Sequence, residues 1–173
     1  MGETREVNRV FFSIGSNIDA EHNLPAAVRM IETFGVVAAT SMVYETLPVG
    51  FAGQPNFLNA ALLLETCHSL AEILKTIVPG VEQSLGRVRD PARPDGPRTI
   101  DLDVLLFNDE IAITGKHCLP DPDILKHAFV AVPLAELDPT LLHPITHETL
   151  AAIASRLPIS AGDMLPRPDV RLR

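Results

Sequence analysis

The sequence predicts an α+β sandwich, with helices packed over a largely antiparallel sheet. Three observations carry that expectation. Hydrophobic residues make up 46% of the 173 positions and charged residues only 21%, the balance of a chain that buries a core rather than one that stays disordered. Strand-like and helix-like patterns alternate along the chain, but without the regular spacing of βαβ units. No apolar stretch approaches the roughly 18 residues needed to span a bilayer. The length suits a single domain over 1–173, large enough to form its core without disulfide staples.

The elements follow in order. Residues 8–14, Asn8-Arg9-Val10-Phe11-Phe12-Ser13-Ile14, read as a short buried strand that Gly15-Ser16-Asn17 breaks. Asp19 or Asn23 is a candidate cap for a helix running to about Phe34, with Leu24, Ala27, Val28 and Ile31 as its apolar stripe and Pro25 in its first turn. Val36 to Thr46 reads as a second strand, 47–56 as a Pro- and Gly-containing loop, and Phe57 to Thr66 as a third strand. Ser69 caps a predicted helix over 70–86, which Pro79-Gly80 should kink or break. The stretch 87–98 is a loop. Thr99 to Phe107 is the strongest strand, and Ile111 to Thr114 a short partner after the Asn108-Asp109 turn. A Pro-rich loop over 119–123, a helix over about 124–136 and a short helix over 147–156 complete the pattern. Pro158, Pro166 and Pro168 predict a loosely held tail over 157–173.

Charge narrows the function. A formal net charge of −8 argues against a general nucleic-acid binder. The first residues, Met1-Gly2-Glu3-Thr4-Arg5-Glu6, show no basic region followed by an apolar one, so no secretory signal is expected. Cys67 and Cys118 form neither a CxxC pair nor a disulfide framework, which fits a reducing cytoplasm. The basic residues, however, are uneven. Arg87, Arg89, Arg93 and Arg98 crowd a stretch holding two acids, Asp90 and Asp95, so it carries +2 and the rest of the chain −10 (−8 less +2).

That stretch leads into the candidate site. In Arg98-Thr99-Ile100-Asp101-Leu102-Asp103-Val104-Leu105-Leu106-Phe107, strand alternation points Asp101 and Asp103 to one face. Ile100, Leu102, Val104 and Leu106 point to the other, into a core. Two carboxylates side by side repel, and the usual solution is a hard cation with oxygen ligands; one or two carboxylates plus substrate phosphates is the common magnesium arrangement. Guanidinium forks match phosphate oxygens, so arginines beside such a pair resemble a phosphoryl-transfer site. No G-x-x-x-x-G-K-[ST] or G-x-G-x-x-G run is present. The separation of Gly15-Ser16 from the acidic pair, 85 positions from Ser16 to Asp101, argues against a nucleotidyltransferase. His143 and His147 are four apart with Pro144 between them and are expected at the surface; Ser13 and Ser16 have no His-Asp partners nearby in sequence. In the segments around Tyr44–Gly50 and Gln54–Asn59, Phe57 could stack on a flat ring and Asn59 could pair with its edge.

Together these segments resemble the 6-hydroxymethyl-7,8-dihydropterin pyrophosphokinases of folate synthesis over about residues 9–145. The resemblance rests on Gly15-Ser16-Asn17, Tyr44-Glu45-Thr46, Gln54-Pro55-x-Phe57-Leu58-Asn59-Ala60, Glu82, Gly86-Arg87-Val88-Arg89, Ala128-Phe129-Val130 and Pro133-Leu134. Its most specific piece is Gly96-Pro97-Arg98-Thr99-Ile100-Asp101-Leu102-Asp103-Val104-Leu105-Leu106. It implies a ferredoxin-like fold and transfer of pyrophosphate from ATP to a reduced pterin, releasing AMP. It implies Asp101 and Asp103 as ligands of two Mg²⁺ ions, with Arg87 and Arg98 completing the catalytic set. Thr46, Leu47, Val49, Phe57, Asn59 and Phe129 would form a pterin pocket, with the ring between the phenylalanines. Glu82, Arg87, Arg89, Arg98, Val104, Lys116, Asp121 and His127 would lie on the nucleotide side. The implied partners are ATP and a reduced pterin, with neither nucleic acid nor membrane, in a cytoplasmic monomer or weak homodimer. The chain departs from the family pattern at Asp121, where a His is usual, at His127, where an Arg is usual, and at Asp95, where an aromatic or basic residue is usual. All three remove positive charge or a phosphate donor from the nucleotide side, so the alternative expectation is a diverged relative that binds a pterin or nucleotide without efficient transfer, or acts on a related pterin.

Overall fold

The run Val10-Phe11-Phe12 shows no alternation because both faces of its strand are covered. Val10, Phe12 and Ile14 face one helical layer and Phe11 the other, all at most 1% exposed. The computed structural model of the chain describes residues 6–50, 53–160 and 162–173. Residues 1–5 of the signal reading, Phe51 and Ala52 of the loop 47–56, and Ala161 of the C-terminal segment lie outside the described residues.

The strand β1 (Asn8–Ser16) pairs antiparallel with β5 (Asp101–Phe107) on one side and β4 (Phe57–Thr66) on the other. One end of β4 pairs with β2 (Val36–Thr40), the other with β3 (Tyr44–Thr46). The single strand expected over 36–46 is therefore two. Between them the Ser41 N–H donates to the Ala61 carbonyl at 2.9 Å, and Ser41 Oγ accepts from the Ala61 N–H at 2.8 Å. The far side of β3 pairs with β8 (Met164–Pro166), giving the order β5-β1-β4-β3-β8. Chain order and strand order together make the expected ferredoxin-like α+β fold.

Helices cover both faces. The stripe Leu24, Ala27, Val28 and Ile31 of α1 (Ala20–Ile31) is buried as its spacing predicts. This helix begins before Asn23, so Pro25 lies in its second turn rather than its first. Ser69 and Glu72 close a capping box on α2 (Leu70–Glu72). Pro79 neither breaks nor ends the helix. It has no N–H to return to the Lys75 carbonyl, and the turn before it widens into a π turn, Ile73–Ile77, that runs on into α3 (Val78–Ser84). Against the opposite face lie α4 (Ala128–Leu137) and α5 (Leu150–Arg156). The helix expected from 124 begins instead as a 3₁₀ turn, Pro122–Leu125, capped by Asp121, whose Oδ1 accepts from the Asp123 N–H at 2.8 Å. The short helix expected from 147 starts at Leu150, capped by Thr149.

Two further differences have local causes. A bulge in β5 pairs Phe11 with Leu106 but Phe12 with Val104. Past it, Leu106 turns to the α4–α5 layer and Phe107 to the α1–α3 layer, so Leu106 does not share a face with Leu102 and Val104 as alternation predicts. The segment after the Asn108-Asp109 turn, β6 (Ala112–Thr114), pairs with β7 (His117–Leu119) and not with the main sheet. The described part of 157–173 departs from the expected loose tail: it supplies β8, Leu172 is 4% exposed in the main core, and Val170 packs against that core. Among the described residues no helix is long and apolar enough to cross a membrane.

Candidate active site

Small residues make the floor of the site. On β1, Ser13 and Gly15 stand opposite Asp103 and Asp101 of β5 and opposite Ala61 and Asn59 of β4. Residues directly opposite share a face. One end of that face, marked by Phe11, Leu63 and Leu105, packs against α4 and α5. The other end opens into a cavity of ≈ 250 Å³. A Cβ on Gly15 would meet Asn59 Oδ1 at 2.7 Å, so the glycine makes room for the amide.

The cavity brings together two chemically different halves. Thr46, Leu47, Val49, Phe57, Asn59 and Phe129 line the first. Asn59 Nδ2 donates to Thr46 Oγ1 at 2.7 Å in a buried contact. The Arg98 guanidinium lies 5.6 Å over the Phe57 ring. His127 stacks on Phe129 with centroids 5.0 Å apart and planes 21° apart. Arg98, Asp101, Asp103, Asp121 and His127 line the second half, joined by Asp95 and Asp123.

Arginines organise the charged half. Arg87 Nη1 donates to Glu82 and to Asp101, and Arg98 Nη1 donates to the other Asp101 oxygen. The Gly96 and Pro94 carbonyls hold the rest of the Arg98 fork, each at 3.2 Å. Glu82, 5% exposed, also accepts from Arg89 Nη2 at 2.9 Å and the Leu102 N–H at 3.2 Å. Its carboxylate thus fixes arginines and strand. Asp103 keeps surface open to the cavity. The surrounding walls push its pKa up to about 7, with the charges of Asp101, Asp121 and Glu82 adding to the shift and Arg87 opposing it. Burial likewise pushes the Asp121 carboxyl up.

The Asp101/Asp103 pair fits a hard divalent cation. Its oxygen donors are the right type, and a cation would relieve the repulsion that raises Asp103. Among the described residues no three His, Cys, Asp or Glu side chains converge as a metal site, so water or substrate oxygens would have to complete the coordination.

A second cavity of ≈ 430 Å³, between α3 and the β6–β7 turn, takes Glu82, Arg87, Arg89 and Lys116. Arg87 joins it to the first cavity through Asp101. Val104, expected on the nucleotide side, lines neither cavity; its side chain is 5% exposed and belongs to the main core. This follows from alternation, since Val104 neighbours Asp103 and faces the other way. His143 is 1% exposed rather than at the surface, and its Nδ1 accepts from the Ile145 and Thr146 N–H groups at 3.3 and 3.2 Å.

Sequence reasoning gave no role to Asn17, which ties the site's two loops together. Its Nδ2 donates to Gln54 Oε1 at 2.9 Å and the Pro55 carbonyl at 3.1 Å, and its Oδ1 accepts from the Arg98 N–H at 2.9 Å. Gln54 Nε2 in turn donates to the Asp95 carbonyl at 2.8 Å. The partners of Asn17 lie 37 and more positions away, so no local pattern announces them. Ser13 and Gly15 did carry a signal. The alternation that puts Asp101 and Asp103 on one face also puts Ser13 and Gly15 on one face of β1.

Comparison with known proteins bears on this geometry. Residues 11–139 match the family model described as 7,8-dihydro-6-hydroxymethylpterin-pyrophosphokinase (HPPK). The chain is 40% identical over 133 residues to a 2-amino-4-hydroxy-6-hydroxymethyldihydropteridine pyrophosphokinase of Bacillus subtilis, covering 75% of this chain and 78% of that one. It is 36% identical over 142 residues to the protein of the same name from Aquifex aeolicus, covering 82% and 87%. Among solved structures it resembles wild-type Plasmodium falciparum HPPK-DHPS with STZ-DHP, at a TM-score of 0.68 and 13% identity, covering 90% of this chain. The chain spans only 44% of that Plasmodium chain, and that likeness concerns the fold alone.

Proposed function

This chain belongs to the 7,8-dihydro-6-hydroxymethylpterin-pyrophosphokinase family of diphosphotransferases, and from that premise we propose that it transfers pyrophosphate from ATP to a reduced 6-hydroxymethylpterin with the help of Mg²⁺. One observation carries the reading: a single cavity joins an aromatic, amide-lined half to a charged half where Arg98 and His127 stand among five aspartates, Asp101 and Asp103 paired on β5. A flat heterocycle suits the first half, stacking on Phe57 and Phe129 with offset rings. Asn59 and Thr46 meet its polar edge, and Leu47 and Val49 add apolar lining. A polyphosphate with its cations suits the second, where Arg98 supplies fixed positive charge, with Arg87, Arg89 and Lys116 in the adjoining cavity.

In the transfer, the hydroxymethyl oxygen forms a bond to the β-phosphorus of ATP and loses its proton. The bond from that phosphorus to the α–β bridging oxygen breaks, and AMP leaves with that oxygen. No covalent enzyme intermediate is needed; positioning and charge neutralisation carry the rate. Asp101 and Asp103 would hold the two Mg²⁺ ions, which supply charge neutralisation along the phosphate chain when bound. We take ATP and the pterin to be its partners and the cytoplasm its compartment, as a monomer or weak homodimer. Of the three departures, Asp121 also caps a turn and His127 also stacks on Phe129, while all three line the charged half, where a binder without transfer would differ by weak hold on ATP.

The test is AMP release by purified protein. With Mg²⁺ and ATP, release should require the pterin and stop on chelation. Asp101→Ala or Asp103→Ala should each lower it by orders of magnitude. Release that is indifferent to the metal, or unchanged by either substitution, would refute the proposal.

A further inference from the structure

The segment that closes the sheet lies outside the region matched by the family model, which ends at residue 139. It meets a strand of the candidate pterin pocket, β3, along the sheet edge. In β8, Met164 stands opposite Thr46, Leu165 opposite Glu45, and Pro166 opposite Tyr44. Without it, β3 would be a three-residue edge strand held to the sheet by β4 alone, and short edge pairings are marginal by themselves.

One side chain fastens this strap. Arg167 uses all three guanidinium nitrogens. Nη1 donates to Glu45 at 2.9 Å, Nη2 to Glu21 and Asp169 at 2.7 Å each, and Nε to Asp169 at 2.9 Å. The Arg167 N–H also donates to the Val43 carbonyl at 2.8 Å. Glu45 passes the constraint on: its other oxygen accepts from Asn56 Nδ2 at 3.0 Å, immediately before Phe57. The guanidinium therefore joins the start of α1, β3 and the entrance to β4. Thr46 and Phe57, paired in register, sit next to Glu45 and Asn56 respectively.

We propose that the C-terminal strap, residues 162–173, is a positioning element for the pterin half of the site, with Arg167 as its clasp. The inference rests on the pterin reading given under Proposed function. By holding Glu45, and Asn56 through it, Arg167 fixes the spacing of Thr46, Phe57 and Asn59 around a flat ligand without touching it. The arginine and carboxylate half hangs mainly on Glu82 and β5, and the clasp reaches it only at second hand, through the Asn17 and Gln54 contacts and the Arg98–Phe57 contact. Arg167 therefore acts more strongly on one substrate than on the other.

The experiment compares Arg167→Gln and Arg167→Lys with the unsubstituted chain. Calorimetry measures affinity for 6-hydroxymethylpterin and for Mg²⁺-ATP, and amide hydrogen exchange follows Thr46 and Asn59. Arg167→Gln should weaken pterin binding about fivefold, the size expected of a partly exposed ion-pair network. ATP affinity should stay within about twofold, and exchange at Thr46 and Asn59 should quicken. Arg167→Lys should recover part of each effect, since an ammonium can still meet Glu45. Equal losses for both ligands, or pterin affinity and exchange both unmoved, would overturn the proposal. If the unsubstituted chain binds no pterin even with Mg²⁺ and a non-hydrolysable ATP analogue present, the proposed function fails, and exchange at Thr46 still decides whether the clasp holds β3.

Discussion

Glu82 offers the sharpest test of how the charged half is held. Glu82→Ala removes three contacts at once. The Leu102 N–H loses its acceptor, at a cost of about 1–3 kcal/mol for a buried unsatisfied donor. Arg87, with its side chain 8% exposed, keeps Asp101 but loses its other partner. Breaking a buried pair outright costs ~3–5 kcal/mol, and the surviving Asp101 contact makes the loss here a fraction of that. Arg89 is 62% exposed, so its share is screened and small. Together these give about 3 kcal/mol, or roughly 6–12 °C in Tm for a chain of this size. Glu82→Gln keeps an acceptor for the Leu102 N–H and a neutral partner for Arg87, and should cost about half as much. Urea denaturation followed by far-UV circular dichroism suits a chain without tryptophan. If both variants stay within about 0.5 kcal/mol of the unsubstituted protein, Glu82 does not organise the arginines and the reasoning fails.

Two other outcomes follow from particular contacts. In Gly15→Ala the new Cβ meets the flexible end of Asn59, so the amide should turn away from Thr46 while the fold survives: pterin KM should rise about tenfold or more while Tm falls by only about 2–4 °C, because a site built to hydrogen-bond its ligand discriminates strongly when that partner is displaced. Unaltered pterin kinetics would show that Asn59 is not where the edge is read. Burial holds the His143 imidazole below its ordinary pKa of 6.5. The unfolded chain therefore takes up its proton first as pH falls, and the stability this group contributes is full above about pH 7.5 and declines through 6.5 toward the lowered folded value. His143→Asn keeps an acceptor for the Ile145 and Thr146 N–H groups and should flatten the loss of unfolding free energy between about pH 7.5 and 5.5; an equally steep loss in the variant would assign it to other groups.

Much of the site was legible because its parts are local. Asp101-x-Asp103 announces itself through alternation on a buried strand, and Phe57 and Asn59 through their residue types; Thr46, Leu47, Val49 and Phe129 came from the family resemblance, and all six line one cavity. What escaped the sequence depends on distance or on irregular backbone. The bulge opposite Phe11 and Phe12 reverses the faces of Leu106 and Phe107, and no composition rule signals a single extra residue. Pro79 reads as a breaker, yet a π turn absorbs it. The C-terminal prolines suggested a loose end, but Pro166 sits on an edge strand, where a missing N–H costs little, and Arg167 finds acids as far away as 146 positions. The hub at Asn17 belongs to the same class, as it joins loops that meet only after the sheet forms.

Mass spectrometry of the pterin after incubation with Mg²⁺ and ATP identifies the transferred group directly. Transfer of pyrophosphate predicts a pterin carrying two phosphoryl units, formed in equal amount with AMP. A pterin carrying one phosphoryl unit, formed with ADP, or an unmodified pterin beside consumed ATP, would contradict the account.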